Sequence, residues 1–452
     1  MRRNVKMKDS TSFPPFPIGL FAKNRGTSFI EKMERMMTMT RPIPKEEGLD
    51  HSLAFLREGY LYVPNRRKSF QSNLFETRLL GERVICLGGG EAAALFYDAD
   101  KFVRKDAAPK RLLKTLFGED GVQTLDGSAH THRKQMFMAL MFPQNIKRLT
   151  KLVSREWERA LDASADETVL YDTAQEVLMR AVCEWAGVPL RESEVARRTD
   201  EMRLLFESGT ALGPKHVRGR AARSSAEAWV RGMVEEVRKN RLLPNEQTAL
   251  YEFSWHRDEA GHLLPADVVA VEVINILRPT VAVSIYVLFT VLALHQFPEA
   301  RDRLARGETE PTWFVQEVRR FYPFFPVTAA RVKQDFAWNG FTFEEGTLVL
   351  LDLYGTNHDP SLWTEPDTFN PDRFKDWTES PFTFIPQGGG DVDFGHRCAG
   401  EHVTIAIMRE TIDVFLTRYR YEVPPQDLSY SFVDLPSLPK SRFVLNQIRK
   451  NK

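Results

Sequence analysis

The stretch GGGDVDFGHRCAGEHVTIAIM, Gly388 to Met408, sets one cysteine, Cys398, between a glycine-rich approach and what reads as the first turn of an amphipathic helix. Three fates are open to its sulfur. Zinc would draw on His396, Cys398 and His402, which lie close in sequence, but no second ligand pair stands at finger-like spacing and no H-E-x-x-H occurs. An inert, buried thiol is the common state of a lone cysteine. The third fate is a thiolate ahead of a helix N-terminus. There the local dipole and unpaired backbone N–H groups favour the ionised form, and adjacent glycines let backbone approach a flat ligand closely. A haem-iron ligand has those needs.

Composition bounds what surrounds that sulfur. With 452 residues, 42% hydrophobic and 27% charged, the chain can bury a large core or a sizeable cofactor, and disorder is excluded as its general state. Its 62 basic and 61 acidic side chains leave a formal charge of +1, so no net field argues for nucleic acid or an anionic membrane surface. Cys86, Cys183 and Cys398 are odd in number and far apart, which fits a reducing compartment and makes a cytoplasmic location the expectation. The amino terminus starts basic, but Pro14, Pro15 and Pro17 break its apolar patch, which is too short for a signal or a membrane span. Met33, Met36, Met37 and Met39 all precede the ordered-looking HSLAFLREGYLYVPNRR. Residues 1–40 are therefore expected to be a disordered extension or to lie upstream of the start.

From 41 to 452 there is no internal repeat, low-complexity tract or Gly/Ser linker, which predicts one large domain. Helical periodicity dominates: HTHRKQMFMALM, AQEVLMRAVCEWAG, AEAWVRGMVEEVRKNR, the run after Pro265 and PTWFVQEVRRF read as helices. Strands fit GERVICLGG and cluster near TAARVKQDFAWNGFTFEEGTLVLLDLY. The fold class is thus mainly α with a small β region. Gly88-Gly89-Gly90 reads as a plain strand-to-helix turn, since neither GK[ST] nor G-x-G-x-x-G follows.

The run VVAVEVINILRPTVAVSIYVLFTVLAL, Val268 to Leu294, is long enough to span a bilayer, yet carries Glu272, Asn275, Arg278 and Pro279 in its middle. The first three recur every three positions, near one face of a helix otherwise apolar all round. That is the pattern of a helix through the centre of a large soluble protein with one stripe turned to a cavity. No transmembrane segment is expected. Proline removes a backbone hydrogen bond and clashes with the preceding turn, so a kink is predicted at Arg278-Pro279, whose plain alternative is a structural bend with the arginine satisfied by a buried acid.

Three ordered motifs carry a family resemblance. His396-Arg397-Cys398-Ala399-Gly400 fits [HR]-x-C-x-G, Glu317-Val318-Arg319-Arg320 fits E-x-x-R, and Pro371-Asp372-Arg373-Phe374 fits P-x-R-F. Together they resemble the cytochrome P450 haem-thiolate enzymes, over nearly everything from about residue 50 to the carboxyl terminus. The resemblance implies the cytochrome P450 fold around a buried haem b. It makes Cys398 the axial iron ligand, puts His396 and Gly400 in the haem-binding loop, and makes Glu317, Arg320 and Arg373 a buried ion-pair network. His130 and Lys134 would stand where haem-propionate partners are expected, with surface-helix residues as their plain alternative.

Two departures narrow the resemblance. Asp391 stands where the family usually has phenylalanine, seven residues before the cysteine, and Arg278-Pro279 replaces the acid–threonine pair that relays protons in oxygen activation. With RFYPFFP, Arg320 to Pro326, these resemble the fatty-acid peroxygenase branch, which uses hydrogen peroxide and long-chain fatty acids. Peroxide heterolysis needs a base, and Arg278 cannot be one because guanidinium stays protonated; it can clamp an anion. A substrate carboxylate held by its planar fork can act as the missing acid–base group, so reaction begins only with substrate present. The same clamp puts the first or second methylene beside the iron, so α- or β-hydroxylation is expected and no redox partner is obligatory. Phe117 and Gln123, in TLFGEDGVQTLDG, would lie over the distal face of the haem, Phe117 beside the first carbons of the substrate. Decarboxylating members tend to carry histidine where Gln123 stands, and glutamine offers no proton relay, so terminal alkene is expected as a minor product only. The alternatives are a conventional redox-partner-dependent monooxygenase and a haem-binding protein without turnover.

Overall fold

A computed structural model describes residues 41–164, 167–211 and 213–451; the extension expected at 1–40 lies outside the described residues. Helices dominate and short strands form small sheets, as the periodicity predicts. The helix Pro143–Asp162 shows why: Leu149, Val153, Trp157 and Leu161 recur every four residues and are all buried, while Arg155 and Arg159 point outward. Burial of each such apolar side chain stabilises by about 1.5–3 kcal/mol. Leu170–Ala186 packs along this helix, and Ala266–Ala282 lies against both Leu170–Ala186 and Pro214–Arg238.

The largest sheet has five strands in the order Leu74–Leu79, Glu82–Leu87, Leu348–Asp352, Val327–Val332, Phe102–Val103. Its one parallel pairing joins Glu82–Leu87 to Leu348–Asp352, with Val84 opposite Leu348. Those two segments are more than 250 residues apart in sequence, and each is a short apolar run buried over most of its length, as suits paired central strands.

The apolar run Ala266–Gln296 is 94% buried inside the protein over its most hydrophobic window, so it is a core element here. Its break differs from the expected one. Helix continues through Pro279 to Ala282 and is interrupted at Val283, one turn later. Proline's fixed φ is itself helical, so the chain can run on past it. The interruption falls where the Val283 N–H is shared between the Pro279 and Thr280 carbonyls. The Thr280 hydroxyl donates to the Ile276 carbonyl at 2.8 Å on the turn that proline weakens.

Candidate active site

Glu272, Asn275 and Arg278 do share one face, and they are hydrogen-bonded in series. Asn275 Nδ2 donates to Glu272 Oε2 at 3.0 Å, and Asn275 Oδ1 accepts from Arg278 Nη2 at 3.3 Å. Glu272 is fully buried, and its other oxygen accepts from Arg133 Nη1 at 2.8 Å and from the Val122 N–H at 2.9 Å. Burial pushes this carboxyl up, and its bonds to Asn275 and Arg133 oppose that shift. Through Val122 it pins the short turn Val122–Thr124, which carries Gln123, against the central helix. Gln123 Oε1 accepts from Asn275 Nδ2 at 3.3 Å, so the structure brings Gln123 and Arg278 onto one amide.

Arg278 is 6% exposed, and among the described residues its only side-chain hydrogen bond is the one to Asn275. Its Nε is buried with no partner, and the Phe117 ring lies 5.7 Å from the guanidinium carbon. The buried acid allowed for by the plain alternative is not there: among the described residues no carboxylate pairs with Arg278. Burial first, and then the neighbouring Arg223 guanidinium, push it down to about 9, which leaves it charged at neutral pH; the Cys398 sulfur works the other way. An ion buried without a counter-charge costs several kcal/mol, which an anion entering the site would offset. Pro279 is the next residue on this helix, one step toward the break.

The second half of the site is the cysteine loop. Cys398 precedes the helix Glu401–Ile412, for which Gly400 is the N-cap, and carries a free thiol. A Cβ on Gly400 would stand 3.9 Å from Sγ, so the missing side chain keeps room beside the sulfur. The other loop glycines do different work from that expected. A Cβ on Gly389 would come within 2.4 Å of the Pro381 carbonyl oxygen, and one on Gly388 or Gly390 within 3.2 Å of Tyr97. These glycines make room in the loop for the Tyr97 ring and the Pro381 carbonyl.

Burial and the helix terminus act on Cys398 in opposite directions. Burial raises the thiol, and the Gly400 N–H and Lys134 offset only part of that. The helix terminus is legible in sequence; the desolvation that outweighs it is not. A bound metal cation would supply what is lacking, since a coordinating thiol is deprotonated outright.

Around the loop, the His130 ring stacks on His396 with centroids 3.9 Å apart, and His396 Nε2 lies 3.8 Å from Asp126 Oδ1. Burial is the largest cause of both shifts, taking His130 to about 3 and His396 to about 4, so both are neutral rings at pH 7. Lys134 is buried and donates to the Gly395 carbonyl at 3.0 Å and to the Arg397 carbonyl, which leaves one ammonium hydrogen for a further acceptor. His130, Lys134 and His396 are thus gathered at the cysteine loop from two distant segments.

Beneath lies the ion-pair network. Arg320 makes two bonds of 2.8 Å to the Glu317 carboxylate, and Arg373 Nε reaches the same group at 3.1 Å. The Asn370 N–H adds a bond at 2.8 Å, and Arg320 also donates to the Asn357 and Pro366 carbonyls. Removing one partner of such a buried set typically costs 3–5 kcal/mol. Glu317→Ala is accordingly expected to lower the melting temperature, soluble yield and haem content together. A haem-replete variant melting with the native protein, and defective only in rate, would contradict this.

Sequence reasoning gave no role to Gln387 or Arg319. Gln387 Nε2 lies 3.8 Å from Sγ, and Gln387 Oε1 accepts from the fully buried Arg319 at 3.0 Å. Arg319 is in turn paired with Glu401, which also holds Arg397 at 2.6 Å. The signal available was a second arginine inside the E-x-x-R segment, which no motif explains.

The donor set fits a haem better than a bare ion. One soft sulfur at a partly buried position suits an iron held otherwise by a macrocycle. Among the described residues no three His, Cys, Asp or Glu side chains are grouped to hold a metal by themselves, so the zinc reading has no ligand set there.

A family model described as Cytochrome P450 matches residues 312–444. The solved structure of Cytochrome P450EX alpha (CYP152N1) with myristic acid is 73% identical, with a TM-score of 0.90 over 91% of this chain and 100% of that one. Cytochrome P450SP alpha (CYP152B1) in complex with (R)-ibuprophen is 45% identical, with a TM-score of 0.87 over 89% of this chain and 99% of that one. A variant of cytochrome P450 OleT in complex with arachidonic acid is 35% identical, with a TM-score of 0.89 over 91% and 99% of the two chains. Among curated proteins, Cytochrome P450 71D181 of Origanum vulgare is 30% identical over 156 residues, which is 31% of this chain and 30% of that protein. The chain therefore matches under a third of the length of that curated relative.

Proposed function

Because the chain belongs to the cytochrome P450 family, we propose that it is a peroxygenase that uses hydrogen peroxide to hydroxylate long-chain fatty acids at the α or β carbon. One observation carries this reading: Arg278 is a buried cation with no carboxylate partner among the described residues, within electrostatic reach of a cysteine suited to haem iron. That similar structures hold myristic acid and arachidonic acid supports a fatty acid as the missing anion.

Bound haem b would supply a thiolate-ligated iron able to activate peroxide. The protein's own groups do the rest. Arg278, oriented by Asn275, binds the carboxylate through its fork and cannot itself take a proton. The bound carboxylate then stands as the acid–base group, so catalysis is substrate-assisted and needs no acid–threonine pair and no electron-transfer partner. Phe117, against Arg278, walls the first carbons and excludes water. Pro279 occupies the position of the family's alcohol and offers no hydroxyl to compete for the proton. His130 and Lys134 would supply N–H groups to the haem's propionates, and His396 would belong to the loop that holds the haem.

Purified protein, hydrogen peroxide and a chain-length series of fatty acids, with products identified by mass spectrometry, test the reading. Hydroxy acid is the expected main product; product formed only with a reductase and no peroxide overturns it. Gln123 receives a hydrogen bond from Asn275 and can relay no proton, so Gln123→His is expected to raise the share of terminal alkene. An unchanged product ratio would remove Gln123 from the mechanism and leave the peroxygenase reading standing.

A further inference from the structure

The cysteine sulfur has a side-chain neighbour that no motif assigns. We infer that Gln387 donates an N–H to Cys398 Sγ and thereby sets how strongly that sulfur pushes charge toward a haem iron. The inference rests on Cys398 being the axial ligand.

The orientation of the Gln387 amide is decided by its other partners. Arg319 has only donors, so it must meet the amide oxygen, and it does so at 3.0 Å. Arg319 is itself fully buried and paired with Glu401, so it cannot swing away. With Oε1 committed, both hydrogens of Nε2 face the opposite side. There they meet Thr404 Oγ1 at 3.1 Å and Cys398 Sγ at 3.8 Å, the second being a sulfur-length contact. A flipped amide would set two donors against each other at Arg319 and an oxygen against the sulfur. The backbone closes the arrangement, since the Cys398 N–H donates to the Gln387 carbonyl at 3.2 Å. Gln387 and Cys398 are eleven residues apart, and the turn through Gly388 and Gly390, at φ of 89° and 80°, brings them face to face.

A hydrogen bond to a thiolate withdraws charge from it, and such bonds are among the levers that set the potential of sulfur-ligated iron. Gln387 is therefore a positioning residue that acts through the sulfur. Gln387→Leu removes the donor at similar volume. Gln387→Glu keeps the bond to Arg319 but offers the sulfur an oxygen. Each variant is to be made as the holoenzyme, and its ferric–ferrous potential and the Soret position of its ferrous carbon-monoxide complex measured against Thr404→Val, which removes the other partner of Nε2 together with that hydroxyl's own bond to the Gly400 carbonyl. A more negative potential and a red-shifted Soret band are expected in Gln387→Leu and, more strongly, in Gln387→Glu, with Thr404→Val close to native. Should only one Gln387 variant hold haem, its shift decides. An intact haem-thiolate whose potential and band match the native protein, or a Thr404→Val shift of equal size, overturns the role of Gln387. Absence of a thiolate-type band in the native protein would instead sink the assignment of Cys398, so the two failures are distinguishable.

Discussion

Cys398→Ala is expected to abolish both the thiolate Soret signature of the ferrous carbon-monoxide complex and all peroxide-dependent turnover. No neighbour can replace the sulfur. His130 and His396 are stacked on each other, and Cys86 and Cys183 are buried elsewhere, with burial raising both thiols. The fold should survive, because the change removes one atom from a side chain that is not fully buried and breaks weak contacts with Gln387 and the Gly400 N–H. Circular dichroism matching the native protein, beside an absent Soret signature, is the expected pair of results. Cys398→His could retain haem but would lose the electron push that thiolate ligation supplies. Retention of both the signature and turnover in Cys398→Ala would place the ligand elsewhere.

Arg278→Ala is expected to weaken fatty-acid binding by roughly 2–5 kcal/mol, or about thirtyfold to several thousandfold in Kd, and to lower turnover as well. Loss of a merely structural arginine would destabilise the fold. Here the substrate-free protein should melt no lower than native, because the substitution deletes a buried charge that has only one amide oxygen as partner. Binding is read from the spectral change on titration with fatty acid, and turnover from product formed with peroxide. Fatty-acid methyl esters should be poor substrates of the native enzyme for the same reason. A short carboxylic acid added in trans should support oxidation of a neutral co-substrate, since it restores the base without bringing a long chain of its own. Efficient ester oxidation with peroxide and no added acid would sink the substrate-assisted mechanism.

What the sequence determined by itself was whatever lies within a few turns of chain. Apolar residues four apart in Pro143–Asp162 suffice to predict its buried face, and polar residues three apart in the central helix suffice to align Glu272, Asn275 and Arg278. In each case the helical repeat converts spacing directly into proximity. Within the Glu317 network the same repeat joins Glu317 to Arg320, three residues on along Pro311–Phe321, whereas Arg373 reaches them from 56 residues away.

Tertiary structure alone decided the contacts that cross the chain. Arg133 meets Glu272 across 139 residues, Arg319 meets Glu401 across 82, and the parallel strands Glu82–Leu87 and Leu348–Asp352 meet across most of the molecule. It also decided that the loop glycines receive Tyr97 and Pro381, and that the central helix breaks at Val283. Above all it decided charge: sequence places Cys398 at a helix terminus and Arg278 on a polar stripe, but burial raises the thiol and leaves the guanidinium without a carboxylate partner among the described residues. Desolvation depends on every segment packed around a group, and no local spacing encodes that sum.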